Sequence, residues 1–526
     1  LSDAKVAAAV SLGLIVLGGW PLALTVVPPY QDLPNHLAAV TVMRNLAEYP
    51  EFVFNGFWKT NSALFAWLSW CGSFTSLETA ARVFAFFTLV LNAIIFPRVV
   101  LELSGSRERT LVSGLVAWPM VHNWFVSTGM LDFALAVPLS LALLIAVHRQ
   151  IAAPSPYRVL AIAVLGAITW YAHVFPVLVV FMLIALEAIV RAPVRRALGG
   201  VALPLLPTAV FVASSLLGQV HDSDGAMSGY VNFHKVLPVW ELAYNAWAEW
   251  MWGHSKFTVT SLVPVIVLFV VGLRRRQESV PFFSPLAMIG LTVAYCFCPY
   301  IATNWFHVNS RFLPYLWTGL LVRVPPSLPR ALVRVLGVAA VAYSIGMGAD
   351  FIRLEREREE FTAGIDSVPR RASLLPLLFQ HSASSDNTRS LLHYWGYYVA
   401  AKHTAAPLLF AHSRSFPVMY SAPPPARFNH LGLEGFARDM RTVRDYCHTL
   451  LVNTVITNSC ETAYRDAWKS FWAEATPRYD YVLAWDITAD ARAQVPAEYR
   501  PIFEKKRLLI LARTATPPRV APTTDM

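Results

Sequence analysis

Apolar runs close to bilayer length recur along the first two thirds of this chain and then stop. A crossing helix needs about 20 mostly apolar residues. Candidate crossings lie at 6–28, 80–97, 110–127, 130–147, 159–173, 175–190, 197–217, 258–273, 282–303, 310–323 and 331–349. From Phe351 the sequence runs Ile-Arg-Leu-Glu-Arg-Glu-Arg-Glu-Glu360, and the remainder has ordinary soluble composition. The pattern predicts a polytopic α-helical membrane protein with about eleven transmembrane helices over 1–349. A C-terminal soluble domain follows over 350–526. The first run is long and no small-residue cleavage motif follows it, so it reads as a retained span rather than a cleaved signal peptide. The stretch 159–190 has Arg158 at one end and Arg191, Arg195 and Arg196 at the other. Two crossings with a turn near His173 fit that charge pattern.

In the soluble region, strand-like runs stand at 407–410, 450–456, 481–484 and 508–511, with helical stretches at 433–447 and 461–474. That mixture predicts an α/β domain. It holds no Gly-rich phosphate loop and no metal-ligand spacing, which favours acceptor recognition or a structural lid over catalysis.

Composition sharpens the membrane reading. The 526 residues are 56% hydrophobic and only 14% charged, with mean hydropathy +0.46, whereas soluble domains carry about 25% charged residues. A net charge of +10 would point to nucleic acid in a soluble protein. Here much of it sits in short loops: Lys5; Arg98, Arg107 and Arg109; Arg149; Arg274, Arg275 and Arg276; Arg323, Arg330 and Arg334. Those loops alternate with ones at 29–79, 217–257 and 304–309 that are longer or more aromatic and sparser in Arg and Lys, as the positive-inside rule requires. Nucleic acid is therefore not expected as a partner. With an odd number of spans, the N-terminus lies inside and the soluble domain outside. The Ala, Arg and Val bias suggests a bacterial cytoplasmic membrane. Of the five cysteines, Cys71, Cys296 and Cys298 lie in or near spans. Cys447 and Cys460 share the soluble domain, where an oxidising compartment permits a disulfide between them.

Polar groups in a membrane domain are costly unless paired or wetted, so they are candidates for function. His36, His122, His173, His221, His234, His254 and His307 all map to outer loops or outer span ends, with Asp32, Asp132, Asp222, Asp224, Glu241 and Glu249. This predicts a polar cavity opening outward. The first outer loop reads Pro28-Pro-Tyr-Gln-Asp-Leu-Pro-Asn-His36. After it, Leu37, Val40, Met43 and Ala47 recur at helical spacing, the pattern of an amphipathic helix lying along the interface. Asp32 precedes that helix. A carboxylate there can act as general base, join His36 in binding a divalent cation, or simply cap the helix. Asp132 opens a span near the same surface, as a second functional carboxylate or another cap. His173 is a candidate substrate ligand or a structurally satisfied histidine. Trp240, Trp247 and Trp250 share a helical face with Ala243, either as an aromatic belt or as a groove for a lipid tail with Lys235 or Lys256 near its headgroup. Arg311, in Asn309-Ser-Arg-Phe-Leu-Pro-Tyr315, stands at an outer span end, where it clamps a phosphate or snorkels to the interface.

Asp32 in its loop, interface helices in that loop, the Arg-Phe-Leu-Pro stretch before a late span and an outward C-terminal domain together resemble the GT-C superfamily of membrane glycosyltransferases. The protein-mannosyltransferase-like and aminoarabinose-transferase-like branches fit best, because no WWD-type signature is present. The resemblance implies a polyprenyl-phosphate-linked sugar donor and an extracytoplasmic glycan, lipid or protein acceptor. It also implies Asp32 as catalytic base or metal ligand, and Arg311 at the donor phosphate. The family commonly shows Asp-Glu where this chain has Asp32-Leu33, which leaves the second acid unassigned. Two other readings remain at this stage: a membrane group transferase using a histidine base, and a transporter or lipid-handling protein without catalysis. The absence of internal repeats and the outward bias of polar residues count against the last.

Overall fold

The structure, a computed structural model, describes residues 2–221, 231–232, 239–251, 253, 256–272, 280–302, 305–382, 388–412, 414–449 and 454–514. In chain order, the membrane region holds α1 (Asp3–Gly19), α2 (Leu33–Arg44), β1 (Phe52–Phe54), α3 (Ala63–Cys71), α4 (Leu77–Ser104), α5 (Arg107–Gly114), α6 (Trp124–Thr128), α7 (Leu131–Ala152), α8 (Pro156–Ala172), α9 (Val174–Val190) and α10 (Ala192–His221). After β2 (Val231–Asn232) come α11 (Val239–Met251), α12 (Leu262–Gly272), α13 (Pro285–Phe297), the short strands β3 (Ile301–Ala302) and β4 (Trp305–Phe306), α14 (Leu313–Leu321) and α15 (Arg330–Thr362).

Five described helical segments are long and apolar enough to cross a membrane: Asp3–Leu24, Leu77–Ser104, Leu131–Ala152, Ala192–Gly218 and Arg330–Ser367. Three more apolar helices, Pro156–Ala172, Val174–Val190 and Pro285–Phe297, are shorter. The chain is thus an integral membrane protein, but several expected crossings are not single helices. The run 110–127 breaks into α5, a 3-10 turn at Trp118–Met120 and α6. Pro119 stands in that turn, and Asn123 restarts the helix by accepting the Val126 N–H at 3.2 Å. Irregular backbone is tolerated at such depth only when protein surrounds it, and residues from Val116 to Gly129 are buried. The expected hairpin at 159–190 is present, and His173 is its turn: its Nδ1 accepts the Phe175 N–H at 3.1 Å and starts α9.

The C-terminal region holds β5 (Leu374–Leu378), α16 (Gly396–Lys402), β6 (Val418–Tyr420), α17 (His430–Thr449), α18 (Thr454–Ala475), β7 (Tyr481–Trp485), α19 (Ala489–Arg492), β8 (Tyr499–Lys505) and β9 (Leu508–Arg513). Four strands form one sheet in the order β5-β7-β9-β8. The β5–β7 pair is parallel, while β7–β9 and β8–β9 are antiparallel. Against it, Phe436 of α17 stacks on Phe471 of α18 at 4.2 Å between ring centroids. Two expected strands are corrected. Residues 407–410 are turns, because the run is short and opens with Pro407. In 450–456, Thr454 opens α18 and 450–453 lie outside the described residues.

The two regions are joined along the first outer loop. Strand β1 pairs antiparallel with β6. Buried Asn35 donates to the Leu408 carbonyl at 3.0 Å and accepts the Phe410 N–H at 3.0 Å. The Arg389 N–H donates to the Gln31 side-chain oxygen at 2.9 Å. At the far end of the loop, Glu48 meets Arg370 at 3.0 Å, Arg371 at 3.1 Å and His403 at 2.8 Å. The helix expected to lie on the membrane interface is therefore covered instead: every residue of α2 from Leu33 to Val42 is buried. Helix α15 continues without interruption through the expected boundary near 350. Its end is fixed to the sheet by Glu360, which accepts from the backbone and side chain of Arg507.

Candidate active site

A cavity of about 740 Å³ lies between helix ends of the membrane region and the C-terminal region. From the membrane region it is lined by Asp32, His36, Asp132, His173, Glu249, Tyr300, Trp305, His307 and Arg311; from the C-terminal region by Arg389, His393, His412, Glu434, Arg438 and Asp439.

Asp32 occupies the N-cap position of α2, yet its side chain does not cap the helix. The backbone on either side is tied down instead. Gln31 N–H and Asp32 N–H donate to the carbonyls of Ser127 and Thr128, both at 3.1 Å. Gly129, at φ +88°, lets that turn close so tightly that a Cβ there would stand 2.8 Å from the Asp32 nitrogen. Asp32 Oδ1 accepts from Gln31 Nε2 at 3.1 Å and lies 3.3 Å from His393 Nε2. His393 Nδ1 in turn lies 3.7 Å from Glu434 Oε1. Burial alone would lower the His393 imidazole, but Asp32 and Glu434 on its two sides hold it above its usual value. Burial pushes the Glu434 carboxyl up to about 7, against the pull of His393. His36 lies beside this group with its ring edge against Phe65, 5.1 Å between centroids, and burial pushes it down to about 4 despite the Asp32 charge.

A second group lines the same cavity. Arg311 is buried between Phe133 and Trp305, 5.2 and 5.9 Å from their ring centroids. Its Nη2 donates to the Phe306 carbonyl at 3.2 Å, and its Nη1 lies 2.7 Å from His173 Nε2. His173 Nδ1 already accepts from Phe175, so a neutral ring must carry its proton on Nε2. Two donors then face each other, an arrangement that an anion accepting from both would satisfy. Nearby, Tyr300, His307 and Glu249 form a chain: Tyr300 OH lies 3.0 Å from His307 Nε2, and His307 Nδ1 lies 3.5 Å from Glu249 Oε1. Ser310 donates to the same carboxylate.

The expected residues thus divide. Asp32, His36, Asp132, His173 and Arg311 all line the cavity. The Asp132 carboxylate is also engaged structurally, accepting the Leu64 N–H at 2.8 Å at the start of α3. On the aromatic helix, Trp247 and Trp250 are buried while Trp240 is 75% exposed, so two of the three rings pack inside the protein. Lys235, His234, His254, Asp222 and Asp224 lie outside the described residues, and the side chain of Lys256 does too. Cys447 and Cys460 are joined in a disulfide that ties α17 to α18. Among the described residues, no three His, Cys, Asp or Glu side chains group as a metal site requires. Sequence reasoning missed His393, Glu434, Arg389 and Arg438, because the C-terminal region showed no motif and nothing local marks these residues as neighbours of Asp32.

No family model matches the chain, and no curated protein does. Among solved structures, it is similar to the crystal structure of ArnT from Cupriavidus metallidurans bound to undecaprenyl phosphate. The TM-score is 0.50 and the identity 13%, covering 98% of each chain. At that identity the likeness concerns the fold alone.

Proposed function

We propose that this protein is a membrane glycosyltransferase that moves a sugar from a polyprenyl-phosphate-linked donor to an acceptor at the outer face of a bacterial cytoplasmic membrane. The observation that carries the reading is a carboxylate and an arginine lining one cavity. Asp32 stands at a helix start without capping it, and Arg311 has its Nε buried without a partner among the described residues. The fold shared with a protein solved with undecaprenyl phosphate supports the same donor class.

In this reading Asp32 takes the proton of the acceptor hydroxyl as the oxygen attacks the sugar's anomeric carbon. The bond from that carbon to the donor phosphate breaks, and Arg311 with His173 stabilises the charge left on the phosphate. Trp305 and Phe133, which flank Arg311, offer apolar faces to the sugar or the start of the prenyl chain. The acceptor enters beside Arg389, Arg438 and Asp439, so the C-terminal region acts in acceptor recognition. The Cys447–Cys460 disulfide supports an extracytoplasmic position for that region.

The test is turnover and binding of polyprenyl-phosphate sugars by the purified protein, wild type against Asp32→Asn. Loss of turnover with donor binding retained supports the proposal. Absence of donor binding across a broad panel would refute the transferase reading, and normal turnover in the variant would remove Asp32 as the base.

A further inference from the structure

The base proposed above does not stand alone. Its outer flank is formed by two side chains that reach it from more than 350 residues further along the chain. His393 is 1% exposed and lies 3.3 Å from Asp32 Oδ1 on one side and 3.7 Å from Glu434 Oε1 on the other. Its ring is held edge-on to Phe410, centroids 4.9 Å apart, so it has little freedom to turn away. Among the described residues, His393 Nδ1 and Glu434 Oε1 are both buried without a hydrogen-bond partner. The two atoms face each other at 3.7 Å, and burying either unmatched is unfavourable. Glu434 stands on α17, whose later turns are held by the Cys447–Cys460 disulfide and by the Arg444 ion pairs to Glu461 and Asp490.

We infer that His393 and Glu434 are positioning residues for Asp32, supplied to the membrane-side site by the C-terminal region. His393 presents an N–H to Asp32 Oδ1, which fixes the carboxylate's rotation. Its other oxygen is thereby left for the acceptor hydroxyl. Glu434 fixes the ring by taking the N–H on the far side, the role a third group plays in acid–histidine constellations generally. Such contacts are often loose before substrate arrives and tighten in the reacting complex, which accords with the 3.7 Å separation. The membrane region alone therefore holds an incomplete site. This inference rests on Asp32 being the base.

The experiment uses the full-length protein and compares His393→Phe, His393→Gln and Glu434→Gln by steady-state kinetics with a polyprenyl-phosphate sugar. Thermal unfolding confirms that each variant is folded. His393→Phe keeps the packing against Phe410 but removes the donor, and we expect kcat to fall by about 10- to 100-fold with donor KM nearly unchanged. His393→Gln keeps an N–H that reaches Asp32 and should recover most of that loss. Glu434→Gln retains an acceptor and should lose less than His393→Phe. Equal kcat in the Phe and Gln variants, whether both normal or both poor, would overturn the inference, since a purely structural role does not distinguish them. If Asp32→Asn is inactive while His393→Phe is normal, the positioning pair fails and the base stands. An active Asp32→Asn would remove both.

Discussion

The contact between Gly129 and Asp32 allows a sharp test of how strictly the carboxylate is placed. Gly129 ends α6 in the left-handed region at φ +88°. A Cβ there would meet Asp32 at 2.8 Å from its nitrogen, 3.0 Å from its Cβ and 3.2 Å from its Cα. Ordinary contact begins near 3.4 Å, so in Gly129→Ala the Asp32 backbone must retreat by about 0.6 Å. It can do so only by stretching the 3.1 Å bonds that hold Gln31 and Asp32 to Ser127 and Thr128. Gly105 supplies the control: it ends α4 at φ +63°, and a Cβ added there would meet nothing within 4 Å. Both alanine variants carry the left-handed strain of about 1–2 kcal/mol, and only one displaces Asp32. A misplacement of about 1 Å costs on the order of 100-fold in rate, so Gly129→Ala should lose at least about 10-fold in kcat. Gly105→Ala should keep wild-type kcat with a slightly lower Tm. The assay is steady-state sugar transfer together with thermal unfolding in detergent. Equal kcat in the two folded variants would refute the reasoning.

Four further outcomes are expected. Asn35→Leu removes the buried donor to the Leu408 carbonyl and the acceptor of the Phe410 N–H; with about 1–3 kcal/mol for the buried carbonyl, chemical denaturation should show a loss of at least about 1 kcal/mol. Arg311→Lys keeps the charge but loses the planar fork, so the donor Kd should rise by about tenfold while thermal stability changes little. Replacing both Cys447 and Cys460 by Ser opens a crosslink of sequence separation 13, worth about 3 kcal/mol in the chain-entropy view, and should lower the Tm as reductant does for the wild type. Glu48 is held down to about 2, first by its hydrogen bond to Arg371 and further by His403 and Arg370. Its folded value lies below its ordinary 4.5, so its contribution is present above pH 4.5 and fades as the pH falls toward 2. With Arg370 and Arg371 side chains 59% and 37% exposed, solvent screening leaves about 1 kcal/mol. Glu48→Gln should show a correspondingly shallower loss of stability on acidification, read from denaturation curves between pH 5 and pH 3.

Features with a strong local signal were legible in the sequence. The long apolar helices, the hairpin turning at His173, the strands Tyr481–Trp485 and Leu508–Arg513 and the central parts of α17 and α18, expected at 433–447 and 461–474, follow from period and length. Strand Leu374–Leu378 was missed because all five residues are buried, so no alternation marks it, and Pro376 argues against a strand. The crossing at 110–127 failed because hydropathy does not distinguish a continuous helix from broken backbone wrapped in protein. Helix α2 illustrates a further limit. Its apolar spacing was read as one face on a membrane, but Asn35 turns toward Leu408 and Phe410, a partner no local pattern reveals. Asp32, His36, His173 and Arg311 were singled out because polar groups in a membrane region are costly unless paired or wetted, and the fold brings all four to one cavity. His393 and Glu434 were not, since polar residues in a soluble domain are commonplace.

The first outer loop has a consequence for biosynthesis. Gln31, Asn35 and Asn55 bond to groups 358, 373 and 361 positions later in the chain. At about 5–20 residues per second, roughly 20 to 70 s separate the emergence of the loop from that of its partners. During that interval Asp32 has reached the membrane surface without His393 or Glu434, and β1 has no strand to pair with. A ribosome that stalls before residue 393 therefore leaves the first loop inserted without the side chains that line the cavity beside it, and synthesis of the last quarter of the chain sets when that cavity first closes.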